Sequence, residues 1–274
     1  MSASQSAKIA SSSKIRKRAL VTGASSGIGR ELALRFAREG HDLILVARNG
    51  QKLRELADQL KRDCGVSANV IPKDLSKPQA PEEIFQELQR EGILIDILVN
   101  NAGVGTYGPF SESNLSRELE MMRLNMISLT HLTHLFLKEA VLCKEGKILN
   151  VASTAAFQPG PLMAVYYASK AYVLSFSEAL AEELRGSGVT VTVLCPGPTE
   201  SEFQKTANMG KIRLLAKSFL MDSATVAKAG YEGLMKGRTV VIPGFKNKLS
   251  VLGAKWAPRK WVVRAVRMIQ TRTR

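Results

Sequence analysis

Tyr166 and Lys170 are the two side chains in this sequence best suited to proton transfer. They lie four residues apart in a helical pattern, so they share one face of that helix. A phenol has a pKa of about 10 and is a poor acid or base at neutral pH, but a nearby ammonium group lowers that pKa. The pair therefore predicts proton exchange with a carbonyl or hydroxyl oxygen. Tyr167, three residues from Lys170, is the competing candidate.

Ser153 is a second candidate for the same chemistry. It directly follows a predicted strand over residues 147–152 and precedes Tyr166 by 13 residues. Sites gather at the carboxyl ends of strands in α/β proteins, and a hydroxyl there can hydrogen-bond a substrate oxygen. The alternative is an ordinary turn or capping serine.

A glycine-rich segment, residues 22–29, lies between the first predicted strand and the first predicted helix. Its glycines are spaced G-x-x-x-G-x-G. Glycine lets a ligand approach the backbone closely, and the N–H groups that begin a helix attract phosphate. The segment predicts a phosphate-binding loop, with an ordinary glycine-rich turn as the alternative. The residues expected to contact the phosphates are Gly23, Ser25, Ser26, Gly27, Ile28 and Gly29.

The end of the second predicted strand indicates which dinucleotide would fit. An NAD site carries an acidic residue there, about 20 residues after the glycines, to bind the ribose 2′-hydroxyl. Here that place holds Ala47, and Arg48 follows. A guanidinium favours a 2′-phosphate, and no carboxylate repels it. NADP(H) is therefore predicted in preference to NAD(H), unless Arg48 is only a solvated loop charge.

Strand and helix patterns alternate along the chain. Strands are predicted at residues 18–22, 42–47, 68–71, 96–100, 147–152, 190–195 and 239–242, and helices at 27–40, 50–64, 81–91, 115–143, 163–185 and 223–236. Several strands are continuously apolar, as strands buried on both faces are. The pattern predicts an α/β fold: one domain with a doubly wound, Rossmann-like parallel sheet of about seven strands and helices on both faces.

The charge of the chain is concentrated at its two ends. The 274 residues include 39 Lys+Arg and 24 Asp+Glu, a net charge of +15. Residues 1–18 contain five basic residues and residues 236–274 contain eleven, both without an acid. The body is close to neutral, which makes nucleic-acid binding unlikely. We expect a mobile basic segment over 1–16, a catalytic domain over 17–243 and a basic amphipathic extension over 244–274.

Three widely spaced cysteines fit neither a disulfide framework nor a CxxC metal site, and no metal is expected. No apolar run reaches the ~18 residues of a membrane-spanning helix. We therefore expect a cytoplasmic protein, with peripheral membrane association as an option.

Taken together, these motifs resemble the short-chain dehydrogenase/reductase family. The resemblance covers about residues 17–200, more loosely to 243. It rests on TGxxxGIG at 22–29, NNAG at 100–103, Asn125, Ser153, YxxxK at 166–170 and Pro196-Gly197. It implies hydride transfer between a nicotinamide and a small-molecule carbonyl or secondary alcohol. It also implies a homodimer or homotetramer.

The resemblance further implies a role for each matching residue. Tyr166 would be the general acid in reduction and the base in oxidation. Lys170 would lower the Tyr166 pKa and bind the nicotinamide ribose, while Ser153 would hold the substrate oxygen. Asn125 would hold a relay water through its backbone carbonyl. Other implied cofactor contacts are Asp74 and Leu75 at the adenine, Asn101, Ala102 and Gly103 beside the adenosine ribose, and Pro196, Gly197 and Thr199 at the nicotinamide.

The substrate side is less sharply marked. Residues 199–222 have no clear period and follow a strand, so a mobile lid is predicted there. Apolar residues that would line or cover the cleft indicate an apolar substrate; the alternative is that they are apolar because any lid must be partly apolar to close. The substrate contacts predicted, besides Ser153 and Tyr166, are Phe157, Met163 and Phe203.

The C-terminal tail contains a basic amphipathic helix after Pro258. A basic helix with tryptophan on its apolar side is typical of helices that lie in an anionic membrane surface. The alternative is a helix that packs on the body or on a second subunit with its charges in water. The apolar stripe consists of Trp261, Val262, Ala265, Val266 and Ile269.

The leading functional hypothesis is an NADP(H)-dependent carbonyl reductase or alcohol dehydrogenase. A second hypothesis is a reductase of ketoacyl, steroid or other lipid-type ketones that acts at a membrane surface. A hypothesis from another class is a dinucleotide-binding regulator without turnover.

Overall fold

The computed structural model describes residues 16–200 and 220–271, which form a parallel sheet covered by helices. The seven strands are β1 (Arg18–Thr22), β2 (Asp42–Ala47), β3 (Ala68–Pro72), β4 (Ile97–Asn100), β5 (Gly146–Val151), β6 (Val189–Leu194) and β7 (Val240–Val241). They lie in the order β3-β2-β1-β4-β5-β6-β7, and every pair is parallel. This confirms the predicted doubly wound sheet.

Helices connect the strands and continue past the last one. They are α1 (Gly27–Arg38), α2 (Gly50–Cys64), α3 (Ala80–Arg90), α4 (Leu115–Met122), α5 (Leu129–Ala140), α6 (Ala164–Glu183), α7 (Ser223–Met235), α8 (Phe245–Trp256) and α9 (Arg259–Gln270). The helix predicted over 115–143 is interrupted by a π-helical turn, Arg123–Ser128, between α4 and α5. Helix α8 was not predicted.

The sheet separates two apolar layers. Within β1, Ala19 and Val21 point toward a layer that includes α1, α2 and α7, while Leu20 points toward a layer that includes α3 and α5. This alternation favours apolar residues at most positions of the central strands, which is why several strands read as nearly continuous apolar runs. Strands β2 and β3 lie on one side of β1, and β4 lies on the other side. The strand order therefore reverses at β1, and a crevice opens there beyond the carboxyl ends of β1 and β4.

A buried polar chain joins β4 and β5 to the helices behind them. The side-chain amide of Asn100 donates to Thr133 at 3.0 Å and to Asn150 at 2.9 Å. Asn150 in turn donates to the Ser177 hydroxyl at 2.9 Å, and Ser177 donates to the Val173 carbonyl at 2.6 Å. These bonds fix the register of α5 and α6 on the sheet, and α6 carries Tyr166 and Lys170.

The C-terminal helices pack on the body. Val262 and Val266 of α9 are buried in one cluster with Ala155, Met163 and Tyr167. The predicted apolar stripe is thus divided, because Trp261 and Ile269 of the same stripe remain exposed. Among the described residues, none of the helices combines the length and apolar character needed to cross a bilayer.

We expect Asn150→Ala to lower the free energy of unfolding by about 2–4 kcal/mol, because it leaves buried partners unsatisfied. Ser177→Ala should cost about 1 kcal/mol. The double variant should lose less than the sum of the two, because both remove the same Asn150–Ser177 hydrogen bond. Urea denaturation of the four proteins measures this coupling, and strict additivity would contradict it.

Candidate active site

One large cleft, of about 1350 Å³, lies at the carboxyl ends of the strands. Loops after six of the strands contribute to its wall, and α8 and α9 close the far side. The predicted site residues that line it are Gly23, Ser25, Ser26, Gly27, Ile28, Arg48, Asp74, Leu75, Asn101, Ala102, Gly103, Ser153, Met163, Tyr166, Lys170, Pro196, Gly197 and Thr199.

The glycine-rich loop is braced by the loop after β4. The Thr22 hydroxyl accepts hydrogen bonds from the backbone N–H groups of Asn101 and Ala102, both at 3.0 Å, and donates to Val99. The Asn101 side chain donates to the Thr22 carbonyl at 2.9 Å. A Cβ on Gly29 would overlap the Asn101 amide, so Gly29 lies beneath the loop and does not line the cleft. Its contribution is close packing.

The cleft beyond β2 is rich in cations. Arg48, Lys52 and Lys73 line this end, and the position where an NAD site carries a carboxylate is Ala47. The sequence patterns did not single out Lys52. Its position as the third residue of α2, the helix that begins after Arg48, could have indicated it.

Asp74 is the acidic residue at this end of the cleft. Burial opposes its ionisation, but hydrogen bonds from Ser76 and the charges of Arg48 and Lys77 outweigh burial and lower the Asp74 pKa. Its Oδ1 accepts from the Ser76 N–H at 3.0 Å and from the Ser76 hydroxyl at 2.8 Å. Asp74 is therefore an anion, and its Oδ1 is already hydrogen-bonded to Ser76.

The proton-transfer candidates meet on one wall of the cleft. Tyr166 and Ser153 share a side-chain hydrogen bond. The Ser153 hydroxyl also accepts from the Ala155 N–H at 3.1 Å, which fixes the hydroxyl at the end of β5. The Lys170 ammonium lies 5.9 Å from the centre of the Tyr166 ring and donates to the Val151 carbonyl at 2.8 Å. The side chains of Ser153, Tyr166 and Lys170 thus lie together on one wall of the cleft.

The titration of this group is governed by burial. Burial raises the Tyr166 pKa above its usual range, and the hydrogen bond with Ser153 offsets only part of that rise. Burial likewise lowers the pKa of Lys170 to about 8. The Tyr166 shift is opposite to the one predicted from the Tyr166–Lys170 spacing, because removing the phenolate from water outweighs its hydrogen bond with Ser153. At neutral pH Tyr166 is protonated.

Tyr167 is engaged elsewhere. Its hydroxyl accepts a hydrogen bond from the side-chain amide of Gln270, the last residue of α9, whose backbone carbonyl accepts from Tyr107. Burial raises the pKa of Tyr167 to about 12. Of the two adjacent tyrosines, Tyr166 is the one that shares a hydrogen bond with Ser153.

Asn125 lies in the π-helical turn, behind the cleft wall. Its side-chain oxygen accepts a hydrogen bond from the Val104 N–H, and its side-chain amide donates one to the Val104 carbonyl, both at 3.0 Å. The amide also donates to the Ser169 hydroxyl at 3.1 Å. The Asn125 side chain thereby ties the loop after β4 to α6. The predicted role of its backbone carbonyl stays a prediction.

The segment after β6 completes the cofactor side. A Cβ on Gly197 would overlap the side chain of Asn247 in α8. Thr199 is buried and donates to the Gly197 carbonyl at 2.9 Å, and it pairs with Met221 in a parallel bridge. Of the predicted lid, residues 201–219 lie outside the described part of the chain.

One predicted substrate contact, Phe157, is not brought to this cleft. Phe157, at the end of a short 3-10 turn, lines a smaller depression of about 370 Å³ with Pro159, Pro161 and Ala164. Phe203 lies outside the described residues.

Sequence reasoning missed that the tail forms the far wall of the cleft. The cleft-lining residues from α8 and α9 include Asn247, Ser250, Ala254, Val262 and Val266. The available signal was the apolar stripe of α9, for which packing on the body was the alternative to a membrane contact.

Comparison with known proteins agrees with this geometry. A family model described as short chain dehydrogenase matches residues 17–211. The 17-beta-hydroxysteroid dehydrogenase type 3 of Mus musculus is 33% identical over 216 residues, which is 78% of this chain and 70% of that protein.

Two solved structures share the fold. A short-chain dehydrogenase from Sphingobium yanoikuyae in complex with NADPH has a TM-score of 0.78 and 33% identity, covering 86% of this chain and 91% of that one. A short chain dehydrogenase/reductase from Burkholderia phymatum in complex with NAD has a TM-score of 0.77 and 25% identity, covering 86% and 92%. The chain therefore belongs to the short-chain dehydrogenase family of nicotinamide-dependent oxidoreductases.

Proposed function

We propose that this protein is an NADP(H)-dependent carbonyl reductase or alcohol dehydrogenase in which Tyr166 transfers the proton. The observation that carries the proposal is the hydrogen bond between Tyr166 and Ser153 on the cleft wall, with the Lys170 ammonium 5.9 Å from the same ring. A protonated phenol, a second hydroxyl and a buried cation at one point suit a developing alkoxide.

Reduction would use each of these groups once. A bound nicotinamide dinucleotide supplies the hydride to the carbonyl carbon. The Ser153 hydroxyl holds the carbonyl oxygen, and the Tyr166 hydroxyl donates its proton to that oxygen as the C–O double bond is lost. The product is an alcohol, and the phenolate left on Tyr166 is stabilised by the ammonium of Lys170. In oxidation the same proton moves back to Tyr166.

The cleft suits a dinucleotide with a 2′-phosphate. The loop at residues 23–28 presents backbone to the cleft at the beginning of α1, where N–H groups favour phosphate. Arg48, Lys52 and Lys73 would surround the 2′-phosphate, and the nearby Asp74 is held by Ser76. The relatives include complexes with both dinucleotides, so the preference rests on these cations.

A second candidate is a reductase of bulky, lipid-type ketones such as steroid or ketoacyl substrates. The cleft of about 1350 Å³ would also hold the dinucleotide, so the support comes from α9, which gives the far wall of the cleft an apolar surface. The steroid dehydrogenase named above supports the same substrate class. A regulator without turnover would need none of the Tyr166, Ser153 and Lys170 arrangement.

We also propose a homo-oligomer and peripheral membrane association. Exposed apolar side chains on the α4 to α6 surface, namely Leu115, Leu119, Ile127 and Tyr172, support a contact between subunits. The α9 stripe alone does not support the membrane contact, because Val262 and Val266 are used by the body.

Tyr166→Phe should lower turnover of a ketone by at least about 100-fold, because the proton donor is removed. NADPH binding, measured by fluorescence titration, should be retained. Tyr167→Phe is the matched control and should keep most of the activity. Loss of activity in Tyr167→Phe with an active Tyr166→Phe would transfer the role to Tyr167.

Arg48→Ala should lower the ratio of kcat/KM for NADPH to that for NADH by about tenfold or more, through loss of a charged hydrogen bond to phosphate. Arg62→Ala, at the exposed end of the helix α2 that follows Arg48, is the control. An unchanged ratio in Arg48→Ala would contradict the cofactor assignment.

Ala265→Phe fills part of the far wall of the cleft and should raise KM for a bulky apolar ketone more than KM for a small one. The comparison of the two substrates on one variant removes any effect on folding or cofactor. Equal changes for both ketones would argue against the bulky-substrate candidate.

A further inference from the structure

Helix α8 has two faces, and one of them has no partner among the described residues. Its inner face supplies Asn247, Ser250 and Ala254 to the cleft, and Val251 is buried. Its outer face carries four large apolar residues at spacings of four, three and four, which place them in a single stripe. These are Phe245, Leu249, Leu252 and Trp256, with exposed fractions of 74%, 52%, 53% and 80%.

The apolar stripe of α8 is flanked by cations. Lys248 and Lys255 lie on one side of it, and Lys246 lies on the other. Residues 245–270 contain seven Lys or Arg and no acid. Long basic side chains beside an apolar stripe can keep their charges in a headgroup layer while the stripe enters the acyl boundary.

A second exposed tryptophan follows soon after α8. Only Ala257 and Pro258 separate α8 from α9, and Trp261 of α9 is 72% exposed where it lines the edge of the cleft. Trp256 and Trp261 therefore lie near the same corner, and tryptophan is favoured where an apolar surface meets headgroups.

A second copy of this chain suits the surface poorly. A two-fold contact places the same patch on both sides, so the lysines that flank the stripe would face their own copies across the interface. The surface requires a partner that is apolar and anionic together.

We propose that the apolar stripe of α8 and its flanking lysines dock on an anionic lipid bilayer, with α8 lying in the plane of the interface. This surface differs from the stripe that the sequence indicated on α9. It also sets the cleft wall directly behind the lipid contact, because the opposite face of α8 lines the cleft. The docking does not depend on the proposed reaction.

The experiment is vesicle binding by the full chain. Vesicles of phosphatidylcholine with phosphatidylglycerol are compared with phosphatidylcholine alone, by co-sedimentation and by tryptophan emission. The wild-type protein should bind the anionic vesicles, bind the neutral ones much less, and lose binding as salt is raised. In Trp261→Phe, Trp256 is the remaining tryptophan, and its emission should shift to shorter wavelength on binding.

Two paired variants test the surface itself. Lys248→Glu/Lys255→Glu should weaken binding by at least about fivefold for each lysine removed. Lys61→Glu/Lys138→Glu makes the same change of net charge elsewhere and should bind as wild type. Leu249→Ser/Leu252→Ser should also weaken binding, whereas Leu94→Ser/Leu142→Ser, at residues 65% and 82% exposed, should not.

Reduction of a water-soluble ketone reports the folding of each variant, because none of these eight residues lines the cleft. Absence of vesicle binding by the wild type, or equal losses in the control variants, would overturn the inference. A change of sedimentation coefficient in the α8 variants, with vesicle binding unchanged, would assign the stripe to a second copy and also overturn it. If wild-type vesicle binding is found but no ketone is reduced, the proposed reaction fails and the docking stands.

Discussion

The buried ammonium group of Lys170 constrains the packing at the centre of this structure. Lys170 is 6% exposed, and an ammonium group held away from water requires hydrogen-bond acceptors and space around it. The Val151 carbonyl at the end of β5 is one acceptor, so α6 must cross the sheet at that end. Gly103 lies so close that a Cβ there would stand 3.4 Å from the Lys170 nitrogen. Asn125 then ties the Gly103 loop to α6 through Val104 and Ser169.

The loop after β4 links the glycine-rich loop to the part of the cleft wall that contains Tyr166, Ser153 and Lys170. At one end, Asn101 and Ala102 are held by Thr22 and so support the glycine-rich loop. At the other end, Val104 is held by Asn125, which lies beside the helix that carries Tyr166. One short loop thus connects the two halves of the cleft, and Asn125 contacts that loop from within the π-helical turn.

Sequence patterns were sufficient for the sheet because β1, β2, β4, β5 and β6 are buried at nearly every position and most of the helices between strands show their own period. They also singled out Tyr166, Ser153 and Lys170, since short motifs at strand ends and on helix faces can be recognised in the sequence even when the packing is unknown. They failed for α8, whose stripe of Phe245, Leu249, Leu252 and Trp256 does not face a core. They also failed for the direction of the Tyr166 pKa shift, because spacing gives the neighbour but not the degree of burial.

The contact of Gln270 with Tyr107 and Tyr167 has a consequence for biosynthesis. The strands and the glycine-rich loop precede residue 242, whereas the far wall of the cleft comes from residues 245–270. During translation the sheet can assemble while α9 is still within the ribosome. The nascent domain can then acquire its dinucleotide surface first, and the substrate side is enclosed only after Gln270 emerges and engages the two tyrosines.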